Sequence, residues 1–206
     1  MAFQFLGSPQ LVLGQVCREN GICQSTAVPW LLDLMDLSGC VVTVDAPCAG
    51  PDLVRGLLGR NADYVVELRP EAGRVYDQVE SRFREMEPLP FFQQVADQRF
   101  DLPRIRRWEY HRNDLAFLGH EDWEGVGGIG MVETEIETAD APRAHRRFFV
   151  SSLTGSATAF FSAVETHAEV SEGTLWTITL TFPNPESMAN VAGTFAILKD
   201  SLTKAA

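Results

Sequence analysis

Hydrophobic positions along this chain switch between a period of two and a period of three to four, and the switches mark out alternating strands and helices. Phe3-Gln-Phe5 and Leu11-Val-Leu-Gly-Gln-Val16, joined through Gly7-Ser-Pro9, predict a hairpin. Pro29 sets a helix start, and Trp30-Leu-Leu-Asp-Leu-Met35 follows with apolar side chains at helical spacing. Val41 to Val44 predicts a strand, Asp52 to Leu58 behind Pro51 a short helix, and Tyr64 to Leu68 a second strand. Arg74 to Glu87 is a charged amphipathic helix that Pro88 and Pro90 stop.

Beyond a loop rich in Phe and Gln, strands are expected at Ile105 to His111, Gly130 to Ile136 and Arg147 to Ser151. Ala157 to Val170 is apolar at helical spacing, and Thr174 to Phe182 is Thr-rich and β-prone. Met188 to Leu202 closes the chain as a helix with Val191, Phe195, Leu198 and Leu202 on one face. The reading is α/β with a mixed sheet, in a single domain over 1–206, since 206 residues at 45% apolar composition can bury one ordinary core. No apolar run approaches the roughly 18 residues of a membrane span, and Met-Ala-Phe-Gln-Phe5 lacks the basic start of a signal peptide, so a soluble, cytoplasmic protein with no membrane partner is expected.

Charge narrows the partners. The chain carries 28 acidic against 17 basic residues, a net charge of −11. A protein that grips a duplex neutralises phosphates with Lys and Arg, so this balance argues against a nucleic-acid partner. Two basic clusters remain, Arg104-x-Arg106-Arg107 and Arg143-x-x-Arg146-Arg147; acidic neighbours make surface ion pairing the expectation for both. Cys17, Cys23, Cys40 and Cys48 form no C-x-x-C pair and the four histidines are scattered, which predicts reduced thiols rather than a zinc site; no metal or cofactor is expected. Val126-Gly-Gly-Ile-Gly130 leads into a strand and predicts a bulge or tight turn, not a phosphate cradle.

The run His167-Ala-Glu-Val-Ser-Glu-Gly-Thr-Leu-Trp-Thr-Ile-Thr-Leu-Thr-Phe182 resembles the block H-W-x-I-E-N-x-L-H-W-x-L-D-V-T-F of H-repeat-associated, DDE-type insertion-sequence transposases of bacteria. His167, Trp176, Thr181 and Phe182 match, and the catalytic glutamate position is Ser171. Six further segments resemble the family in the same order: Leu11–Val16, Ser25–Leu32, Val41–Ala46, Ala62–Leu68, Ile129–Glu133 and Arg147–Leu153. The resemblance implies an RNase H-like mixed sheet flanked by helices, in which three carboxylates hold two divalent metals. The family's first catalytic aspartate lies on a central strand before the hairpin, so the sheet is expected to lack that strand. Its neighbours should then pair directly or accept a strand from another subunit, which makes a homodimer an expectation.

The second family aspartate is retained as Asp45, but the surrounding polar and basic motifs have changed. Gly50 stands for a glutamine, Arg69-Pro-Glu-Ala72 for a K-G-N-Q-like turn, and Ser187-Met-Ala-Asn-Val-Ala-Gly193 for a basic stretch. Glu172 lies one residue past the glutamate position, and one helical step turns a side chain by about 100°; it is either a shifted ligand or a surface acid. Two-metal chemistry needs convergent carboxylates around ions about 3.5–4 Å apart, so active transposition is not expected. The altered cleft instead reads as a pocket for a small apolar molecule, walled by Ser171, Leu175, Trp176, Trp108 and Tyr110. Asp45 is the first candidate acid or base for a metal-free lyase, isomerase or cyclase, His167 the second and Glu172 the third. Each has a structural alternative: Asp45 as a cap, His167 as a buried helix residue, and Trp176, Trp108 and Tyr110 as packing. A non-catalytic interaction domain and a decayed transposase fragment are the competing expectations.

Overall fold

The computed structural model describes residues 2–5, 11–15, 32–33, 35–44, 50–85, 95–97, 104–112, 115–118, 123–136, 143–155, 157–171 and 177–194. Nine strands are described: β1 (Ala2–Phe5), β2 (Leu11–Gln15), β3 (Val41–Val44), β4 (Asp63–Leu68), β5 (Val95–Asp97), β6 (Arg104–His111), β7 (Gly128–Ile136), β8 (Arg143–Ser151) and β9 (Thr177–Thr181). They join in one sheet of order β2-β1-β9-β3-β4-β8-β7-β6-β5. The helices are α1 (Pro51–Leu58), α2 (Arg74–Glu85) and α3 (Ala157–Ser171), with a fourth, α4, beginning at 185 and described to 194. The architecture is mixed α/β and consistent with an RNase H-like fold.

Local chemistry explains most of these boundaries. Pro51 opens α1, where a missing N–H costs nothing, and Asp52 in the first turn pairs with Arg55 at 2.7 Å. α4 starts three residues before the expected Met188, because Asn184 caps it: its side-chain oxygen accepts the Ser187 N–H at 2.9 Å. β7 and β8 begin earlier than their apolar cores suggested, at Gly128 and Arg143, since antiparallel pairing holds from Gly128↔Ser151 to Ile136↔Arg143. β5 lies within the stretch expected to be loop and pairs with β6 over only Val95 to Asp97. Of the helix expected over Trp30–Met35, residues 32–33 are helical and the remainder either bends or lies outside the described residues, as do 86–90 at the end of α2 and 195–202 at the end of α4.

The centre of the sheet departs from the expected pairing. The hairpin strand β1 and β3 neither pair with each other nor leave a place for a strand from another subunit. β9 lies between them, parallel to β1 (Ala2↔Thr177) and antiparallel to β3 (Val44↔Ile178). The β-prone Thr-Ile-Thr-Leu-Thr run that returns from α3 thus satisfies the backbone of both neighbours, and an open gap no longer argues for a second copy.

Alternation sorts the strands' side chains to two faces. Tyr64, Val66, Phe148, Val150 and Leu180 join Leu53, Val54 and Leu57 of α1, Val75, Val79 and Phe83 of α2, and Val191 of α4 in the larger core. Val41, Val65, Tyr110, Val132 and Phe149 face Phe160, Ala163 and Val164 of α3 in the smaller one. The glycine-rich run at 126–130 is explained by this second core as well as by a turn. Gly125 adopts φ +67, whereas a Cβ on Gly128 would overlap the Tyr110 ring and one on Gly130 the Phe160 ring. Two serines then bolt β4 to β8: Ser152 Oγ donates to Asp63 Oδ1 at 2.7 Å and accepts the Tyr64 N–H at 2.9 Å, and Ser151 Oγ donates to the Tyr64 carbonyl at 2.9 Å.

Candidate functional site

Two elements end and a third begins at one rim of the sheet. β3 runs out at Val44, whose neighbours are Val66 on parallel β4 and Ile178 on antiparallel β9. α3 ends at Ser171, shortly before β9 begins at Thr177. Sequence reasoning put its candidate site here. Asp45, Glu172, Leu175 and Trp176 lie outside the described residues. Ser171 is described as the last helical residue and Trp108 as a strand residue of β6, in backbone alone.

His167 and Tyr110 can be placed in full. His167 falls on the stripe of α3 that carries Phe160, Ala163 and Val164, at spacings of three, four and seven, and it is only 1% exposed. It lies on the sheet-facing side of the helix. Tyr110 stacks on Phe160 with centroids 4.7 Å apart and rings 17° from parallel, and its hydroxyl donates to the Leu153 carbonyl at 2.7 Å. Burial is the main cause that pushes its phenol above the usual range; the Ser151 hydrogen bond and Arg112 pull the other way. Ring and hydroxyl are both engaged within the core.

Residues that sequence reasoning passed over also occupy the rim. Glu67 is the β4 residue just past the point where β3 stops, and its Oε2 lies 3.5 Å from Nη1 of Arg147 at the start of the β8 core. Arg147 also lies over the Phe149 ring, 5.6 Å from its centroid. On the opposite face Arg146 Nε donates to Glu133 Oε2 at 2.7 Å. The ion-pairing expectation for this basic cluster therefore holds for both arginines, which are turned to carboxylates of neighbouring strands. The available signal was the cross-strand alternation of Glu67 and Arg147, but the two are far apart in sequence and only the register joins them.

Under α3, the Thr43 hydroxyl is fully buried and has no hydrogen-bond partner; the Thr181 hydroxyl is likewise buried and unpartnered. Register places Thr181 opposite Val41, on the same face as Thr43. An unmet buried hydroxyl costs about 1–3 kcal/mol, so Thr43, one residue inside the end of β3, and Thr181, beside its start, are polar groups left unmet within this face. Elsewhere, Cys40 is buried and its thiol is pushed up to about 12 by desolvation first and the nearby Asp36 charge second, which makes it an inert thiol. The other three cysteines lie outside the described residues. Among the described residues no group of three or more His, Cys, Asp or Glu side chains is placed to hold a metal ion, and no helix is long and apolar enough to cross a membrane.

Sequence comparison adds ancestry to this geometry. The chain is 24% identical over 189 residues to "Putative transposase YncI" of Escherichia coli O157:H7, covering 86% of this chain and 47% of that protein. It is 22% identical over 181 residues to "H repeat-associated putative transposase YhhI" of Escherichia coli strain K12, covering 81% and 46% respectively. Over most of its length the chain is similar to H-repeat-associated putative transposases. It spans about half the length of these relatives. An uncharacterized protein from the dhlA 3′ region of Xanthobacter autotrophicus is 29% identical over 148 residues, 70% of this chain. No family model matches the transposase-like chain, and no solved structure matches it.

Proposed function

We propose that this transposase-derived domain does not perform two-metal DNA cleavage and instead binds a small molecule at the rim where β3 and α3 end and β9 begins, with Asp45 as the acid or base of any metal-free lyase, isomerase or cyclase chemistry there. The observation that carries the reading is the Thr43 hydroxyl, fully buried and unpartnered one residue inside that rim. A ligand that enters at this rim would give it the partner it lacks. Three further features support the reading. Ser171 stands at the position aligned with the family's glutamate, the net charge is −11, and Arg146 and Arg147 are directed to Glu133 and Glu67 rather than left for phosphates.

The test is a thermal-shift titration with Mg²⁺, Mn²⁺, a short DNA duplex and a panel of small apolar metabolites, since any ligand that prefers the native state raises the midpoint. A metabolite response that Asp45→Asn and Thr43→Val both weaken, with silence toward metal and duplex, is the expected outcome. A metal or duplex response instead restores the nuclease reading and removes this one.

The second reading is a non-catalytic interaction domain. It is favoured by how completely the α3 face is filled where it is described: the Phe160 ring sits against Gly130 with no room for a Cβ between them. Response to none of the panel, together with retention of a defined partner by the intact chain, selects it.

A further inference from the structure

Strand register gathers arginines on the α3 face of the sheet, past the part that α3 covers. Pairing of β7 with β6 and β8 sets three rows across these strands: Arg104, Ile136 and Arg143; Arg106, Thr134 and His145; Trp108, Val132 and Arg147. Alternation gives all of them the face of Tyr110 and Phe149. α3 packs on Tyr110, Val132 and Phe149, whereas in the next row out Thr134 is half-buried and His145 exposed. Glu109, Glu133 and Glu135 alternate to the opposite face. On this face, among the described residues, the acids beside the rows are Asp97, opposite Arg104 on β5, and Glu67, which Arg147 already engages. Arg106 has Val95 and Thr134 opposite it and Arg143 has Ile136, so neither faces an acid in register. Four arginines against two carboxylates make a positive area on a chain of net charge −11. The area is small, about 13 Å along β6 from Arg104 to Trp108 by 10 Å across three strands, and acids resume at Glu137 and Asp140 in the segment that joins β7 to β8.

We propose that this patch is a second binding site, for a compact organic polyanion of the nucleoside triphosphate class. Guanidinium forks suit phosphate oxygens, and Arg106 and Arg143 take the phosphate chain beside Thr134 and His145. Trp108, next to Arg106 on the same face of β6, takes the base, since an aromatic face stacks with any base. Arg147 stays with Glu67. Size and charge favour such a molecule over a nucleic-acid strand, whose phosphates run off the patch onto an acidic surface that repels them. The site is independent of the rim where β3 ends, because β7 lies three strands from β3 in the sheet, about 14 Å away.

The experiment is isothermal titration calorimetry of the whole chain with adenosine triphosphate. Inorganic triphosphate and adenosine serve as probes that keep one half of the ligand each, and a single-stranded oligodeoxyadenylate as the extended competitor. Saturable binding of adenosine triphosphate that weakens with salt is expected, with inorganic triphosphate about tenfold weaker for want of a stacked base and adenosine weaker still. Arg106→Gln and Arg143→Gln, which keep the long side-chain stem, should each lower the affinity about tenfold. Arg146→Ala, in the same sequence cluster but on the opposite face, should leave it unchanged. No saturable binding, equal binding of inorganic triphosphate, tighter binding of the oligonucleotide, full affinity in either Gln variant, or an equal loss in Arg146→Ala each overturns the proposal. Binding that Asp45→Asn abolishes and the arginine variants spare also overturns it, while leaving the rim reading in place.

Discussion

The two faces of the sheet are covered in different ways: α3 alone lies on the smaller core, whereas α1, α2 and α4 share the larger one. Beneath α3 the face is aromatic and closely fitted: Tyr110 stacks on Phe160, Phe149 meets the same ring edge-on at 5.6 Å, and glycines in β7 make the room. Beneath α2 the larger core shades into charge. His111 Nε2 lies 3.3 Å from Glu109 Oε2, both buried, with the Phe83 ring against His111 at 5.1 Å and the Glu133–Arg146 pair on the next two strands, β7 and β8. A surface of rings tolerates few substitutions without a void or a clash, whereas a surface of ion pairs can trade partners.

The sharpest way to break the comparison is to remove one ring from each face. Phe160→Ala should cost about 3–5 kcal/mol by urea denaturation, because the ring is fully enclosed, and Phe83→Ala, at a more open site, should cost less. Equal losses would show the two faces to be packed alike. Next comes Gly130→Ala, whose added methyl has to displace the Phe160 ring; a loss of about 1–3 kcal/mol is expected, against little change for the same substitution at Gly50, where nothing lies within 4 Å.

Arg146→Ala probes the charged face and should cost only about 0.5–1 kcal/mol, since its side chain is half-exposed and salt screens the pair. A loss that persists unchanged in high salt would count against the ion-pair account. The smallest effect concerns Cys40. Its folded thiol is pushed up from 9.0 to about 12, so the unfolded chain gives up the proton first as pH rises. The contribution is complete below pH 9, and it is lost progressively toward pH 12. Cys40→Val should flatten the fall in stability over that window slightly, leaving the share due to Tyr64 and Tyr110, whose phenols are also raised by burial.

Local features of this fold were readable from the chain. β3, β4, α1 and α2 are set by β-branched runs, by Pro51 and by apolar spacing, and they occupy the expected positions to within a residue or two over the described range. What could not be read was pairing between distant segments. Nothing in Thr177–Thr181 announces that it lies between β1 and β3, and nothing in Glu67 or Arg147 announces the other, because register is a property of two strands and their turns rather than of either sequence. The same limit explains the site. The residues around the rim could be named by resemblance, but the unpartnered Thr43 hydroxyl becomes visible only when every neighbour is in place.

The position of β9 also sets a timetable. Ala2 finds its strand partner at Thr177, so during synthesis β1 waits for the intervening segment of about 175 residues, roughly 10–35 s at ordinary elongation rates. Over that interval the β1–β2 hairpin has only itself, and an isolated two-stranded hairpin is marginally stable in water. Assembly of the sheet's centre is therefore a late event that joins segments far apart in sequence, and interruption before Thr177 leaves β1 and β3 without the strand that lies between them.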